Sequence, residues 1–215
     1  MSLVESKLIV EIFDKLNLSD INYILIRNID NELPNNLKVD KDIDILVKNE
    51  DIDKIYSFFK KNKFNRMPHP HRGGVFLYGV KKFEFFKNNY NILFDLNYHL
   101  VCRSLDKGQW MPLDQIIQRS AWINKRLVKT KELSYWTLSY EDEFITLIVR
   151  SIFDKKEFQQ GYIFRIESLY LLIDKKDVTQ KMSYIFFNYT PTLLKQVEKK
   201  EYSDIINNYI SFKGY

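Results

Sequence analysis

The sequence contains few of the residues that cross-link proteins or make them flexible. Cysteine occurs once in 215 residues, at Cys102, which excludes an internal disulfide and any zinc site built from several cysteines. A lone cysteine without a supporting base is typical of a small core residue, so we do not expect Cys102 to be a nucleophile. Six glycines and five prolines leave little material for flexible linkers.

Long apolar runs are also missing. The opening segment, residues 1–16, is interrupted by four charged side chains, Glu5, Lys7, Glu11 and Asp14. It has neither the apolar core of a signal peptide nor the roughly 20 apolar residues that cross a bilayer. We therefore predict a cytoplasmic protein that does not insert into membranes.

Composition and charge are those of a globular protein. Hydrophobic residues make up 45% of the chain and charged residues 28%, both near globular averages. The net charge of +5 is modest and suits polyanionic partners such as nucleotides, or RNA, without requiring them.

The apolar pattern divides the chain into two parts. The first 100 residues mix strands and helices, whereas the part after Ser139 is helical and begins with a capping box, Ser139 and Asp142. This predicts an α+β fold, with a small mixed sheet and flanking helices in residues 1–110 and a mainly helical domain in residues 111–215. We predict strands at 21–27, 42–47, 75–80 and 91–98, and helices at 3–17, 49–64, 113–122, 139–154, 161–174 and within 178–212.

Two aspartates, Asp42 and Asp44, open a strand that continues with an apolar run. Side chains alternate across a strand, so both project on one face, about 6 to 7 Å apart at the backbone. Like charges this close repel each other, and a cation between them would remove the repulsion. The pair indicates a Mg²⁺ site, because Mg²⁺ prefers one or two carboxylates and completes its shell with water and phosphate oxygens.

Two other interpretations of this segment compete with a magnesium site. The acids can form a solvated entry to the strand. Asp40, Asp42, Asp44 and Asp51 also occupy ligand positions of a calcium-binding EF-hand loop, but that loop needs glycine where this chain has Ile45.

A third acid, Asp95, interrupts the otherwise apolar and aromatic strand at 91–98. Burying an ionised carboxylate without a partner is very costly, so Asp95 needs a cation or a strong donor. If its strand lies beside that of Asp42 and Asp44, the three carboxylates converge on a site suited to phosphoryl or nucleotidyl transfer.

The order of elements around these acids is that of a known superfamily. A strand, a loop, the element KDIDILV opening the next strand, a helix, and a later strand with one more Asp resemble the DNA polymerase beta-like nucleotidyltransferases. Residues 23–52 are similar in particular to uncharacterised bacterial nucleotidyltransferase-like proteins often associated with surface polysaccharide gene clusters. The resemblance covers about residues 20–100, and the helical part is similar only in general layout.

The resemblance implies an enzyme that uses Mg²⁺ or Mn²⁺ and moves a nucleoside monophosphate from an NTP to a hydroxyl of a sugar or other small molecule. Asp42 and Asp44 would bind the metal, and Asp95 would be both a metal ligand and the base. Asp40 falls outside the motif.

One departure from the superfamily concerns the phosphate site. A Gly-Ser pair usually follows the first strand, where this chain has Arg27 and Asn28. Arg27 could bind phosphate through two nitrogens, and Asn28 could donate its amide. Lys41 and Arg72 complete the predicted nucleotide-binding set.

The remaining candidates have simpler explanations. His69 and His71 could form a metal pair or a phosphate clamp, but no third ligand is near in sequence, which favours an ordinary surface loop. His99 has only weak functional support. Arg150 and Arg165 are either surface charges or phosphate contacts.

Two functions compete with nucleotidyl transfer. Loss of the Gly-Ser pair favours a non-catalytic nucleotidyltransferase-like binding module in polysaccharide assembly, whereas retention of three acids argues against it. A basic RNA-binding domain would instead show a continuous Lys/Arg face and steep salt dependence.

Overall fold

The computed structural model describes residues 2–71, 73–105 and 107–210 of the chain. These residues form two compact units. The first unit combines the chain up to Gly74 with residues 81–99 and 124–138, and the second combines residues 75–80, 100–123 and the part from Ser139 onward. We predicted a single boundary at residue 110. Each observed unit instead combines several separate stretches of the chain. That the two parts are independent domains stays a prediction.

Strands mixed with helices occupy the described chain up to Thr137, and helices follow from Tyr140 onward. The strands are β1 (Tyr23–Leu25), β2 (Asp42–Val47), β3 (Asn65–Met67), β4 (Glu84–Lys87), β5 (Leu93–Asn97), β6 (Val101–Arg103), β7 (Trp110–Pro112), β8 (Arg126–Lys129) and β9 (Ser134–Thr137). The helices are α1 (Ser6–Asn17), α2 (Ile52–Lys61), α3 (Gln115–Ile123), α4 (Tyr140–Val149), α5 (Gln160–Tyr170), α6 (Lys175–Phe186), α7 (Thr190–Glu198) and α8 (Tyr202–Ile210).

The first unit is built around a mixed seven-stranded sheet with the order β3-β4-β5-β2-β1-β9-β8. Strand β2 is at its centre, antiparallel to β1 and parallel to β5. The outer pairs β3/β4, β4/β5 and β8/β9 are antiparallel. β9 pairs with β1 in parallel and brings residues 134–137 back to this sheet.

One face of this sheet carries the hydrophobic core of the first unit. Ile43 and Ile45 of β2 are 2% and 0% exposed and belong to one buried cluster with residues of α1 and α2. Phe59 of α2 stacks on Phe86 of β4 with ring centroids 4.5 Å apart, and it also contacts Phe94 of β5. Since side chains alternate along β2, burial of Ile43 and Ile45 turns Asp42 and Asp44 to the other face.

One strand prediction is wrong in position. Residues 75–80 form no strand, since Tyr78 and Gly79 have φ values of 52° and 75°, which suit a turn and not an extended ladder. The strand is β4 instead, in which Glu84 and Phe86 are buried. The sequence pattern did not predict β4, because its alternation spans only four residues and one of the buried residues is an acid.

The second unit is mainly helical. A small antiparallel sheet of β6 and β7 accompanies helices α3 to α8, and a π-helical segment, Arg150–Lys155, extends α4. The predicted cap is confirmed, as the Ser139 hydroxyl accepts a hydrogen bond from the Asp142 backbone N–H at 3.1 Å.

These elements confirm the predicted fold class, an α+β protein with a mixed sheet, flanking helices and a helical C-terminal region. None of the helices in the described part of the chain is long and apolar enough to span a membrane.

Candidate active site

Three carboxylates meet on the face of the sheet opposite the core of the first unit. Strands β2 and β5 are parallel neighbours, and their register puts Asp44 directly opposite Asp95, with Asp42 one pleat earlier on β2. One oxygen from each of Asp42, Asp44 and Asp95 lies within 4.8 Å of the others. The structure therefore brings together the three acids that the sequence predicted to converge.

Burial and the neighbouring acids raise the proton affinity of Asp95. The pKa of Asp95 is raised from 3.8 to about 6, mainly by burial and also by the negative charges of Asp44 and Asp42, while the contact with His69 acts in the opposite direction. Desolvation and like-charge repulsion both oppose ionisation of the carboxyl, and a bound cation would relieve both.

One oxygen of the cluster lacks a hydrogen-bond donor. Asp95 Oδ1 is buried and has no hydrogen-bond partner, although buried polar atoms are nearly always satisfied. A carboxylate oxygen left in this state is suited to a metal ion, and an all-oxygen donor set matches Mg²⁺ or Mn²⁺. The residues present therefore fit a divalent cation.

Arg27 neutralises one of the acids from the end of β1. A guanidinium nitrogen of Arg27 lies 2.5 Å from Asp44 Oδ1, and the two side chains are only 13% and 15% exposed. Such a charge-assisted contact is strong and holds the guanidinium beside the carboxylate cluster.

The other predicted nucleotide-binding residues differ in their surroundings. Asn28 uses its side chain within the fold, donating to the Tyr135 hydroxyl at 3.1 Å and accepting from the Leu33 N–H at 3.0 Å. Lys41 is exposed and pairs with Glu32. Arg72 lies outside the described residues.

Asp40 stands apart from the three acids in its environment. Its side chain is 72% exposed and pairs with Lys87 at 2.6 Å. It is therefore a solvated acid in the same segment as Asp42 and Asp44, which makes it a useful control.

The interpretation of the HPHRGG segment as an ordinary surface loop is wrong for His69. This residue is 6% exposed, whereas residues 65–68 and His71 are exposed. Its Nε2 lies 3.5 Å from both carboxylate oxygens of Asp95. Local sequence does not mark His69 as buried, because the rings that enclose it, Phe83 and Phe85, come from a later part of the chain.

The Nδ1 atom of His69 is occupied by a backbone hydrogen bond, so it is not available to bind a metal together with His71. His69 Nδ1 accepts a hydrogen bond from the backbone N–H of His71 at 3.0 Å. His99 is partly buried, and burial together with the charge of Lys81 lowers its pKa.

The second unit uses its candidate residues for internal contacts. Arg165 donates to both oxygens of Glu143, at 2.7 and 2.6 Å, and Arg150 donates to the Tyr162 hydroxyl at 2.9 Å. Burial raises the pKa of Cys102 to about 12, so its thiol is protonated at neutral pH and is not an activated nucleophile.

No protein-family model matches the chain, and no curated protein matches it significantly. Among solved structures, the chain is similar to nucleotidyltransferases and a nucleotidyltransferase-like protein. One is the lincosamide antibiotic adenylyltransferase LnuA bound to lincomycin, with 15% identity, coverage of 78% of this chain and 98% of that chain, and a TM-score of 0.48.

Two further structures are similar over most of their length. The antibiotic-resistance factor ANT(2'')-Ia shares 9% identity over 91% of this chain and 96% of that chain, with a TM-score of 0.47. An antigenic nucleotidyltransferase-like protein from Paracoccidioides brasiliensis shares 12% over 90% of each chain, with a TM-score of 0.43.

Proposed function

We propose that this protein is a divalent-metal-dependent nucleotidyltransferase, which moves a nucleoside monophosphate from an NTP to a hydroxyl of a sugar or other small molecule. The observation that carries the proposal is the convergence of Asp42, Asp44 and Asp95 within 4.8 Å on neighbouring parallel strands. A structural role alone would not require three clustered acids at the centre of a sheet, because like charges side by side destabilise it.

Asp42, Asp44 and Asp95 would hold the metal. The chemistry that Mg²⁺ or Mn²⁺ supplies when bound is neutralisation of the triphosphate and of the leaving pyrophosphate. The orphaned oxygen of Asp95 and the absence of nitrogen or sulfur from the ligand set support this role.

Asp95 also accepts the proton of the acceptor hydroxyl. The hydroxyl oxygen bonds to the α-phosphorus, the bond from that phosphorus to the oxygen of pyrophosphate breaks, and the hydroxyl proton passes to the carboxylate. In the metal-free protein burial raises the pKa of Asp95 to about 6, so the carboxyl is ionised at neutral pH and can accept a proton.

Arg27 binds phosphate oxygens in this proposal. Its guanidinium is beside Asp44 and can exchange part of that contact for a phosphate, which it matches through two nitrogens. The side chain of Asn28 is engaged within the fold, by Tyr135 and by the Leu33 N–H. Roles for Lys41 and Arg72 in nucleotide binding stay predictions.

The test is pyrophosphate release from each of the four NTPs with MgCl₂ or MnCl₂ and a panel of amino sugars, sugars and small hydroxyl compounds. Asp42→Asn is expected to lower turnover by about a thousandfold, because it removes a charged ligand from the reacting centre. Asp40→Asn, a neighbouring change of the same chemistry, is expected to leave turnover within about twofold. Failure of the wild-type protein to bind any NTP in the presence of either metal would overturn the proposal.

A non-catalytic binding module is the second candidate, and one observation favours it. Arg27 lies 2.5 Å from Asp44 and neutralises that carboxylate without a metal. Such a module would bind an NTP yet release no pyrophosphate with any acceptor. Polysaccharide assembly as its setting, and RNA binding as a third function, stay predictions.

A further inference from the structure

His69 is the one buried side chain among residues 65–71. Residues 65–68, Pro70 and His71 are exposed, whereas the imidazole is turned inward and is 5% exposed. Burial of a polar ring is costly unless its nitrogens have hydrogen-bond partners. The contacts of the two imidazole nitrogens therefore indicate the role of His69.

Two aromatic rings fix the plane of this imidazole. Phe85 meets it edge to face with ring centroids 4.3 Å apart, and Phe83 lies at 5.3 Å on another side. Phe85 belongs to β4 and stands opposite Asp95 in the register of β4 and β5. The ring is therefore held by the strand that borders Asp95.

The backbone selects the tautomer of His69. Because the His71 N–H donates to Nδ1 at 3.0 Å, the neutral imidazole carries its hydrogen on Nε2. Nε2 is the atom that lies 3.5 Å from both oxygens of Asp95, so the ring presents an N–H to this carboxylate. The contact is long, as hydrogen bonds of active sites often are before substrate binds.

We propose that His69 is a positioning residue, whose Nε2–H orients the Asp95 carboxylate toward Asp42 and Asp44. This inference rests on the proposed function, since it concerns an acid of the proposed site. Partners of metal-binding side chains that lie outside the ligand set typically contribute about 10- to 100-fold to metal affinity or activity.

A matched pair of variants separates positioning from packing. His69→Phe keeps an aromatic ring between Phe83 and Phe85 but removes the N–H. His69→Gln loses the ring but can present an amide N–H near the position of Nε2. A packing role predicts that the Phe variant is the better substitute, and a positioning role predicts that the Gln variant is.

The first measurement is Mn²⁺ binding to the metal-free protein by electron paramagnetic resonance, without nucleotide. His69→Phe is expected to weaken Mn²⁺ binding about tenfold, and His69→Gln to stay within about threefold of the wild type. Equal Mn²⁺ affinity of the wild type and His69→Phe would overturn the role of His69 and leave the proposed function standing. A wild type that binds neither Mn²⁺ nor any NTP would overturn both.

The second measurement needs neither substrate nor the His69 variants. Nitrogen-15 NMR of the imidazoles in the metal-free wild type is expected to show His69 as the Nε2–H tautomer, with an Nε2 signal that shifts in Asp95→Asn. An Nδ1–H tautomer, or a signal that ignores this substitution, would overturn the inference.

Discussion

Two largely enclosed aspartates, Asp142 in the second unit and Asp95 in the first, have opposite surroundings. In the second unit Asp142 is fully buried, but the Ser120 hydroxyl donates its one hydrogen to the carboxylate, with its oxygen 2.9 and 2.7 Å from the two carboxylate oxygens, and Lys181 Nζ lies 3.1 Å from Oδ1. In the first unit Asp95 has an oxygen with no hydrogen-bond partner and two further acids beside it. A carboxylate with donors stabilises its fold, whereas a carboxylate with an unpaired oxygen beside other acids is under electrostatic strain that a cation can relieve.

The same contrast appears in the proton affinities. Burial by itself would lower the pKa of Lys181, but hydrogen bonding to Asp177 and the charge of Asp142 outweigh burial and raise this pKa. Lys181 is therefore charged at neutral pH. The pKa of Asp95 is also raised, but for an acid a raised pKa disfavours the charged form. The buried charges of Asp142 and Lys181 therefore stabilise the second unit. Ionised Asp95 instead lowers the stability of the metal-free first unit.

The largest expected effect comes from breaking the satisfied pair. Lys181→Met leaves Asp142 charged in the interior with only Ser120 as a partner, and should lower the free energy of unfolding by about 3–5 kcal/mol. Urea titration of the purified protein measures the loss. The double variant Lys181→Met/Asp142→Asn should recover part of it, and no loss in the single variant would contradict the structural role of the pair.

A smaller and opposite effect is expected in the first unit. The folded-state pKa of Asp95 is about 6, above its usual 3.8, so the stability linked to its proton is complete below about pH 4 and is lost as pH rises through about 6. A tenfold change in proton affinity corresponds to about 1.4 kcal/mol, so a shift from 3.8 to about 6 corresponds to a loss of stability on the order of 3 kcal/mol. Asp95→Asn cannot ionise and should be more stable than the metal-free wild type at pH 8.

Unfolding of both proteins at a series of pH values checks this prediction. The two stabilities should converge near pH 4, and MnCl₂ at pH 8 should stabilise the wild type more than Asp95→Asn. A wild type that is as stable as Asp95→Asn at every pH would show that the three acids are not under strain.

The smallest effect sharpens the contrast within the site. Arg27→Met removes the cation beside Asp44 and keeps a side chain of similar length. Mn²⁺ affinity of the free protein should then rise by about tenfold, or about 1.4 kcal/mol, because the metal no longer competes with the guanidinium. NTP affinity should fall if Arg27 also binds phosphate. Unchanged Mn²⁺ affinity would show that Arg27 does not compete with the metal.

Local pattern was sufficient for β2 and for the identity of the three acids. Asp42–Val47 matches the predicted strand, since the alternation of acids with Ile43 and Ile45 has the period of a half-buried strand. It was not sufficient for β4, where a buried Glu84 and flanking lysines hide a short alternation. Glu84 is tolerated there because Tyr56 and Tyr98 donate to it, at 2.5 and 2.8 Å.

The predicted nucleotide-binding residues illustrate a second limit. Arg27 and Asn28 were chosen for their donor groups, which the residue type specifies, but their partners include residues on other strands. The side chain of Asn28 is used by Tyr135 and Leu33, and that of Arg27 by Asp44. Only the folded chain could reveal these partners.

The sequence alone determined that Asp42 and Asp44 share a face and that Asp95 interrupts an apolar strand, because side-chain direction in a strand follows from a period of two residues. The tertiary structure decided that Asp95 faces Asp44, that Arg27 pairs with Asp44 and that His69 turns inward to Asp95. These contacts depend on which strands pair and in what register, a choice made by burial across the whole sheet and not by any one segment.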